Sequence, residues 1–510
     1  MPTSPLSAMR ILYIDIDSCR PDHLGCYGYH RDTSPNIDAL GEHAMKFRQC
    51  YASDAPCLPS RTAMYSGRFG IQTGVVGHGG TAANPKNEGT ARSFTDNFIE
   101  QGLAKQLQKL GLHTAMISPF GQRHAAHWFY AGFNEIHNTG QEGMESAEVV
   151  APVVDRWMDV NAAKDDWFLH INYWDPHTPY RVPEDYENPF ANDPLPEWLE
   201  DPAALERHQK MTGPHTAMDV GMYGAAPEST SEEDFPRHPW SLTSPAELRR
   251  MIDGYDTGIR YVDDQIGRIV DQLKAAGTYD ETVIIISADH GENQGELGIY
   301  GEHGTADVGT CRIPLIIKWP GMAAGENTAL HYNLDLAPTL MDMMGGEKCP
   351  IWDGESYADA LRNNSVDTGR DEVVISQCAH VCQRSVCWEN WIYLRTYHDG
   401  FHLFPQEMLY DLNADPHEQN DIAEQHPEIC REGAWRLSRW HDEQMQKLAK
   451  NGEDVTDPLW TVLNEGGPFH ARLTSPGEPG SIPAFERYLD RLENTGRADG
   501  AAQLRLKYLS

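Results

Sequence analysis

The chain has 510 residues, and its 76 acidic residues outnumber its 41 Lys and Arg residues, so its formal net charge is −35. Such an acidic surface disfavours binding to nucleic acids and to anionic lipids, because both carry negative charge themselves. No apolar run approaches the roughly 20 residues of a transmembrane helix. Because the N-terminus also lacks the basic and apolar regions of a signal peptide, we expect a cytoplasmic protein whose ten cysteines are mostly reduced thiols.

Short β-rich runs alternate with amphipathic helices over roughly the first 340 residues, a pattern that indicates α/β layers. A helix is predicted over 98–110 from its leucine spacing. Ser244 and Glu247 form a capping box for a longer helix that continues towards Gly277. The predicted strands, in chain order, are 11–17, 114–117, 167–172, 282–287 and 312–318.

The pattern changes near residue 373, where runs that favour a small antiparallel sheet precede a helical segment. The runs that favour strands are 373–397 and 407–412, and the helical segment is 427–449. We therefore expect a large α/β domain over residues 1–372 and a smaller α+β domain over residues 373–510. The Gly- and Pro-rich tail after residue 452 is a candidate contact surface for a homo-oligomer.

Charged side chains follow three of the predicted strands. Asp15 and Asp17 lie two residues apart and share one face of the first strand, His177 lies beyond the third, and Asp289 and His290 follow the fourth. In an open α/β sheet, ligands gather at the carboxyl ends of the strands. Buried carboxylates are costly unless something such as a divalent cation compensates them. The alternative, that these residues cap ordinary turns, stays open at this point.

The segment Cys57-Leu58-Pro59-Ser60-Arg61, which is followed by Gly67-Arg68, is the most informative part of the chain. It has the pattern C-x-P-S-R, which resembles the signature of the sulfatases, members of the alkaline phosphatase superfamily. The resemblance extends over roughly residues 10–420. Further segments resemble those of the family in the same order: 20–28, 34–38, 175–180, 256–267, 289–292, 312–315 and 409–418.

This resemblance implies an α/β fold like that of alkaline phosphatase. Helices are expected to flank a central mixed, mostly parallel sheet, and a smaller C-terminal α+β domain is expected to carry an antiparallel sheet. In the family, a separate formylglycine-generating enzyme oxidises the signature cysteine, and we expect such an enzyme as a partner. The hydrated aldehyde of formylglycine then attacks sulfur, which makes Cys57 the nucleophile position.

The resemblance also implies a divalent metal at the nucleophile. It assigns this metal to three residues and the modified cysteine: Asp17, Asp289, His290 and Cys57. Ser18 stands where many sulfatases have a second Asp, so Asp15 is a tentative substitute. Because His290 stands where many sulfatases have Asn, the site is softer than an all-oxygen cage. Ca²⁺ is the first expectation and Mn²⁺ the alternative.

Several cationic or imidazole side chains are expected to complete the site. Arg61 should stabilise the hydrated nucleophile, and His177 should donate a proton or a hydrogen bond near the leaving-group oxygen. The chain lacks two lysines that family members usually carry. We expect Arg123 and His124 to replace the first lysine and His303 the second. His127 is a weaker candidate for the first place. The expected substrate-binding residues are Arg123, His177 and His303.

Other segments are less specific. Three cysteines and a histidine invite a zinc site, but their spacing is not that of a standard zinc finger, and strand packing explains them better. A glycine-rich turn at 77–80 either lines the pocket or is a plain loop. The three cysteines are Cys378, Cys382 and Cys387, and the histidine is His380. Remote candidates for substrate contact are His398, His402, His470 and Arg472.

The chain is therefore predicted to be a sulfatase that acts on a carbohydrate or aryl sulfate ester, either a sulfated oligosaccharide or a small molecule. A phosphonate monoester or phosphodiester hydrolase on the same scaffold is the main alternative, because its metal residues resemble those found here. A non-catalytic glycan-binding relative is disfavoured, since such a protein should have lost some of the residues around Cys57 and Arg61.

Overall fold

Residues 9–88, 97–213, 215–216, 233–363, 368–468 and 481–509 are described by the structure, a computed structural model. The strands are β1 Arg10–Ile16, β2 Met45–Tyr51, β3 Asp54–Ala55, β4 His113–Ile117, β5 Glu135–His137, β6 Trp167–Tyr173, β7 Thr282–Ser287, β8 Asn293–Gln294, β9 Tyr300–Glu302, β10 Arg312–Ile313, β11 Leu315–Lys318, β12 Gly325–Tyr332, β13 Glu372–Gln377, β14 Cys382–Trp388, β15 Trp391–His398 and β16 Glu407–Asp411.

The helices, numbered in the same way, surround these strands. They are α1 Pro35–Gly41, α2 Cys57–Ser66, α3 Gly70–Thr73, α4 Asn97–Gln101, α5 Leu103–Lys109, α6 Phe120–Arg123, α7 Ala147–Asn161, α8 Pro202–His208, α9 Pro245–Ala275, α10 Val308–Cys311, α11 Leu336–Met343, α12 Ala358–Asn363, α13 Pro427–Asn451, α14 Pro458–Asn464, α15 Ser481–Asn494 and α16 Ala498–Tyr508. Within the described residues, no helix is both long and apolar enough to cross a bilayer.

Among the described residues, nine strands form the large central sheet, in the order β10-β2-β11-β7-β1-β6-β4-β5, with β12 also paired to β2. The pairs around β1, β4 and β6 are parallel, whereas β10 and β11 run antiparallel to β2. Every residue of β1 and β7 is buried, as expected for central strands covered on both faces by helices. The expected mixed, mostly parallel sheet is confirmed.

In the part of the chain that the structure describes, a second sheet has five strands in the order β16-β15-β14-β13-β3. Its strands β13 to β16 are antiparallel neighbours, and α13 packs against β14 and β15. The expected smaller antiparallel sheet is confirmed. Its edge strand β3 comes from the N-terminal part of the chain and pairs in parallel with β13. The domain boundary between residues 372 and 373 stays a prediction.

Two predicted elements are interrupted, each for a local reason. The helix predicted over 98–110 consists of α4 and α5, because Gly102 between them has an extended backbone conformation. The strand predicted over 312–318 consists of β10 and β11, both paired to β2. Pro314 separates them, since proline has no backbone N–H to donate to a neighbouring strand.

The long helix α9 begins as its sequence predicts. Ser244 is its N-cap, and the Ser244 hydroxyl accepts a hydrogen bond from the Glu247 backbone N–H at 3.3 Å. The Glu247 carboxylate in turn accepts from the Thr243 backbone N–H at 2.7 Å. These bonds satisfy backbone donors that have no partner inside the helix. The helix then packs against α7 and α1 with its apolar side.

Replacing Ser244 with Ala should lower the free energy of unfolding by about 1 kcal/mol, because the N-terminus of α9 loses its capping oxygen. Ser244→Thr is the matched control, since it keeps a hydroxyl at the same position and should stay close to the parent protein. Urea denaturation followed by circular dichroism measures both variants. Equal midpoints for the Ala and Thr variants would contradict the capping role.

Candidate active site

The carboxyl ends of the adjacent strands β6, β1 and β7 meet at one edge of the large sheet. Asp17 directly follows β1, His177 lies in the loop after β6, and Asp289 and His290 lie just beyond β7. The Asp17 backbone N–H donates to the Tyr173 carbonyl at 2.9 Å and so joins the ends of β1 and β6. The structure brings these four predicted side chains together, and all of them are buried.

Helix α2 delivers Cys57 to this edge. Cys57 is the first residue of α2, so its side chain lies at the positive end of the helix dipole. The Ser60 hydroxyl donates to the Asp289 carbonyl at 2.6 Å, and the Asn333 amide donates to the Ser60 hydroxyl at 2.9 Å. At the other end, Gly67 has a φ of 65°, the left-handed conformation that glycine adopts easily. These contacts hold the start of α2 against the end of β7.

A buried group of metal-ligating atoms surrounds Cys57. Ligand atoms of Asp17, Cys57, Asp289 and His290 all lie within 4.8 Å of one another. The Cys57 Sγ is 3.0 Å from the His290 Nε2. His290 Nδ1 lies 2.7 Å from the Gly291 carbonyl, to which it donates, and this bond leaves the Nε2 lone pair directed towards the thiol. A second hydrogen bond that orients the ring in this way is typical of metal-binding histidines.

Arg61 lies at the centre of three carboxylates. Its Nε is 2.7 Å from Asp15 Oδ2, and its Nη1 is 2.6 Å from Asp289 Oδ2 and 3.1 Å from Asp17 Oδ2. The guanidinium also lies 4.4 Å from the centre of the Phe120 ring, which excludes water from that face. One turn of α2 separates Arg61 from Cys57, so the ion pairs also position the thiol.

The charges of this group favour a divalent cation. Burial raises the pKa of Asp289 well above its usual range, against the opposing effect of Arg61. Burial also acts to raise the pKa values of Asp17 and Asp15, but the charge of Arg61 chiefly outweighs this effect. Both pKa values are therefore lowered. When all are ionised, three carboxylates and one guanidinium carry a net charge of −2. A divalent metal would compensate this charge, and carboxylate and imidazole donors fit such an ion.

Asp15 does not belong to the group of ligand atoms. Its Oδ2 faces Arg61 Nε and, at 3.4 Å, His170 Nε2. The neighbouring Tyr65 hydroxyl lies 2.8 Å from His170 Nδ1, so the hydrogen-bonded chain continues away from Cys57. This placement does not support the tentative assignment of Asp15 to the metal. Its carboxylate orients Arg61 instead.

His177 and His303 lie beside His290. The rings of His303 and His290 stack with centroids 4.6 Å apart, and the His177 ring is 4.9 Å from His303. The Thr178 carbonyl accepts a hydrogen bond from His177 Nδ1. Burial, which is only partly opposed by Asp17, lowers the pKa of His177 to about 3. Burial also lowers the pKa of His303 well below its usual range. Both rings are therefore neutral near pH 7.

The expected replacements for the first lysine occupy α6 and the residue after it. The Arg123 guanidinium lies 5.0 Å from the centre of the Trp174 ring, and its Nη1 donates to the Glu142 carbonyl at 2.9 Å. Its charge acts on Asp17 and Cys57. His124 lies beside His78, with ring centroids 5.0 Å apart, and burial lowers its pKa well below the usual range. The weaker candidate, His127, is exposed.

The remaining candidates lie elsewhere. His398 packs against the Phe401 ring, and His402 stacks on Phe404. Cys378 and Cys382 lie in a small apolar cluster and Cys387 in the core of the second sheet. Among the described residues, these cysteines belong to no group with metal-ligating geometry. His470 and Arg472 lie outside the described residues.

Two histidines that the sequence analysis considered without assigning them to catalysis also line the site. His78, in the glycine-rich turn, accepts a hydrogen bond from the Leu58 backbone N–H at 3.3 Å. His380, from the loop between β13 and β14, lies 6.0 Å from His78 and 5.4 Å from His303 between ring centroids. His380 Nδ1 is 3.0 Å from the Glu302 carboxylate. Glycines around His78 were the only sequence signal for this contact.

Comparison with known proteins identifies a family. Residues 10–346 match the family model described as sulfatase, and residues 295–439 match the model described as N-sulphoglucosamine sulphohydrolase, C-terminal. Iduronate 2-sulfatase from Mus musculus is 25% identical over 361 residues, which cover 63% of this chain and 61% of that protein. The matched part thus spans less than two thirds of the length of that relative.

Solved structures give the same fold at low identity. A protein solved in complex with its substrate D-glucosamine-2-N,6-O-disulfate superimposes with a TM-score of 0.67 at 20% identity, covering 86% of this chain and 99% of that one. Phosphonate monoester hydrolase of Agrobacterium radiobacter gives a TM-score of 0.65 at 20% identity, covering 86% of this chain and 96% of that one. These likenesses confirm the alkaline-phosphatase-like fold. Since the first family model matches more than half of its residues, this chain belongs to the sulfatase family.

Proposed function

We propose that this protein hydrolyses sulfate esters through a nucleophile formed from Cys57. The observation that carries the proposal is the position of Cys57 at the start of α2, with its Sγ 3.0 Å from His290 and one helical turn from Arg61. Sulfuryl transfer requires an oxygen nucleophile, positively charged groups that bind the anionic ester, and a divalent metal. Residues suited to each of these tasks lie around this one side chain.

A sulfated carbohydrate is the substrate class that we infer first. The protein solved with D-glucosamine-2-N,6-O-disulfate shares the fold over most of both chains, and iduronate 2-sulfatase is a relative by sequence. Arg123 lies at the same edge of the sheet, with its guanidinium over the buried Trp174 ring, and can bind the anionic group of such a substrate. Aryl sulfates form the second class to be compared.

Residue 57 is proposed to act as formylglycine, made by a formylglycine-generating enzyme. Its hydrated aldehyde supplies an oxygen nucleophile, and reformation of the aldehyde releases sulfate. Burial raises the pKa of the unmodified Cys57 thiol well above its usual value, and Asp17 and Asp289 add to this effect. An unmodified thiol would therefore be a poor nucleophile here, since the thiolate is the reactive form.

Arg61 and Arg123 are proposed to bind the anionic group of the substrate. Arg61 keeps the carboxylates of the metal group in place and presents its remaining N–H donors near residue 57. Arg123 is held over Trp174 by the Glu142 carbonyl, which fixes the direction of its guanidinium. His124 lies next to it and completes this side of the substrate site.

His177 and His303 are proposed to act at the leaving-group oxygen. Because the Thr178 carbonyl keeps a proton on His177 Nδ1, Nε2 of the neutral ring is an acceptor. An anionic ester raises the pKa of a nearby imidazole, so substrate binding would favour the protonated ring that can donate. His303 lies 4.9 Å from His177 between ring centroids and can share this task.

The metal is proposed to be held by Asp17, Asp289, His290 and modified residue 57. It would stabilise negative charge on the nucleophile and on the sulfate group. Carboxylate donors favour Ca²⁺, whereas the imidazole of His290 makes Mn²⁺ the alternative.

Asp17→Asn should lower the affinity for Ca²⁺ and Mn²⁺ by about tenfold or more, because a charged ligand is lost. Asp15→Asn should cause a smaller loss, since Asp15 contacts Arg61 and contributes no atom to the group. Isothermal titration with each metal measures both variants. A larger loss at Asp15 than at Asp17 would mean that the roles of the two carboxylates are reversed.

The tryptic peptide 49–61, from protein made in its native host, should contain formylglycine at position 57 by mass spectrometry. Cys57→Ala should lower kcat/KM for a sulfate ester by about three orders of magnitude or more, because no nucleophile is left. Cys378→Ala is the matched control, since that thiol is equally buried and lies outside the site. Unmodified Cys57 throughout, in a preparation that still hydrolyses sulfate esters, would overturn the proposed nucleophile.

Phosphonate or phosphate diester hydrolysis is the second candidate function, favoured by the structural likeness to phosphonate monoester hydrolase. We expect kcat/KM for a 4-nitrophenyl sulfate or a sulfated glucosamine to exceed that for a phenylphosphonate ester by about tenfold or more. Running Cys57→Ala in parallel shows that both activities arise at this site. The opposite ratio would replace sulfatase with phosphonate hydrolase as the main function.

A further inference from the structure

A second group of metal-ligating atoms overlaps the first and contains a residue from outside it. Ligand atoms of Cys57, His290 and His303 lie within 4.8 Å of one another. These side chains have exposed fractions of 1%, 0% and 0%. Each residue comes from a different segment: the start of α2, the end of β7 and the loop after β9. His303 does not belong to the carboxylate group, which consists of Asp17, Cys57, Asp289 and His290.

The donor chemistry of this second group differs from that of the carboxylate group. A cysteine sulfur and two imidazole nitrogens form a soft set, which suits Zn²⁺ far better than Ca²⁺. Three protein donors with a fourth position left for water or a carboxylate oxygen are a common arrangement for zinc. The oxygen donors of Asp17 and Asp289 lie within 4.8 Å of the Cys57 sulfur and can supply that fourth position.

The orientation of His290 supports such a site. The Gly291 carbonyl accepts from His290 Nδ1, so Nε2 faces the Cys57 sulfur with its lone pair. The rings of His290 and His303 are stacked with an interplanar angle of 23°, and each has a nitrogen within 4.8 Å of the Cys57 sulfur.

We propose that the chain with unmodified Cys57 is a zinc-binding protein, in which Cys57, His290 and His303 hold one Zn²⁺. On binding, the Cys57 thiol loses its proton to solvent and its sulfur forms a bond to zinc; no oxidant or reductant takes part. Conversion of the cysteine would remove the sulfur donor, so the state of residue 57 would decide which metal the site prefers. The zinc site rests on the thiol and is independent of the proposed hydrolysis of sulfate esters.

The test uses the full chain, made without a formylglycine-generating enzyme and verified by peptide mass to contain unmodified Cys57. The protein is stripped of metal and titrated with Zn²⁺ against a chromophoric zinc chelator. We expect one Zn²⁺ per chain, bound far more tightly than Ca²⁺. His303→Gln should weaken zinc binding by about tenfold or more, because an imidazole ligand is lost. His426→Gln changes an exposed histidine and should leave the zinc affinity unchanged.

Cobalt provides a second measurement that reports the ligand directly. Co²⁺ bound at this site should give a near-ultraviolet absorption band from charge transfer between thiolate and metal. Cys57→Ser places an oxygen where the sulfur was and should abolish the band and lower the preference for Zn²⁺ over Ca²⁺. His303→Gln should keep the band, since the sulfur remains, while the metal is bound more weakly.

Three results would overturn the proposal. They are wild-type zinc affinity in His303→Gln, an unchanged cobalt spectrum in Cys57→Ser, and the lack of a charge-transfer band in the parent protein. Circular dichroism of the metal-free variants checks their folding. If His303→Gln fails to fold, the cobalt spectra of the parent and of Cys57→Ser still decide the question. Protein in which Cys57 has been converted to formylglycine but which does not hydrolyse sulfate esters would contradict the proposed function. That result would leave the zinc proposal unaffected.

Discussion

The ion pairs of Arg61 are the interactions on which the site and its surroundings depend. The guanidinium contacts Asp15 and Asp17 at the end of β1 and Asp289 beyond β7, and all four side chains are buried. Taking an unpaired charge out of water costs on the order of several kcal/mol, so none of these residues is stable there alone. The strand order that places β1 beside β7 therefore also creates the site, because it brings the carboxylates to one guanidinium.

These ion pairs also position Cys57, the proposed nucleophile. Arg61 and Cys57 are four residues apart on α2, and side chains at this spacing lie on the same face of a helix. The bond from the Ser60 hydroxyl to the Asp289 carbonyl adds a second link between α2 and β7. Contacts that stabilise the fold thus set the 3.0 Å distance between the Cys57 sulfur and His290. For this reason, substitutions in the group need separate measurements of stability and of metal affinity.

The sequence predicts the parts of the site that depend on local order along the chain. Asp17, Asp289 and His290 directly follow buried strands, and the carboxyl ends of neighbouring parallel strands always lie at one edge. Asp15 could not be assigned in this way. Its spacing of two residues from Asp17 shows that both side chains lie on the same face of the strand, but it does not show which residues contact that face. His380 comes from the second sheet, and its distance from Cys57 depends on how the two sheets pack. The residue pattern within one segment of the chain does not predict how the two sheets pack.

The histidines of the proposed active site supply little positive charge. His124, His177 and His303 are neutral near pH 7, because burial lowers their pKa values. The charge of Arg61 is already shared among three carboxylates. Arg123 donates from its Nη1 to a backbone carbonyl, so its charge is less compensated than that of Arg61. In a chain with a net charge of −35, Arg123 would attract an anionic ester to this edge. A divalent cation held by the carboxylate group would do the same, so we expect the binding of metal and the binding of substrate to be coupled.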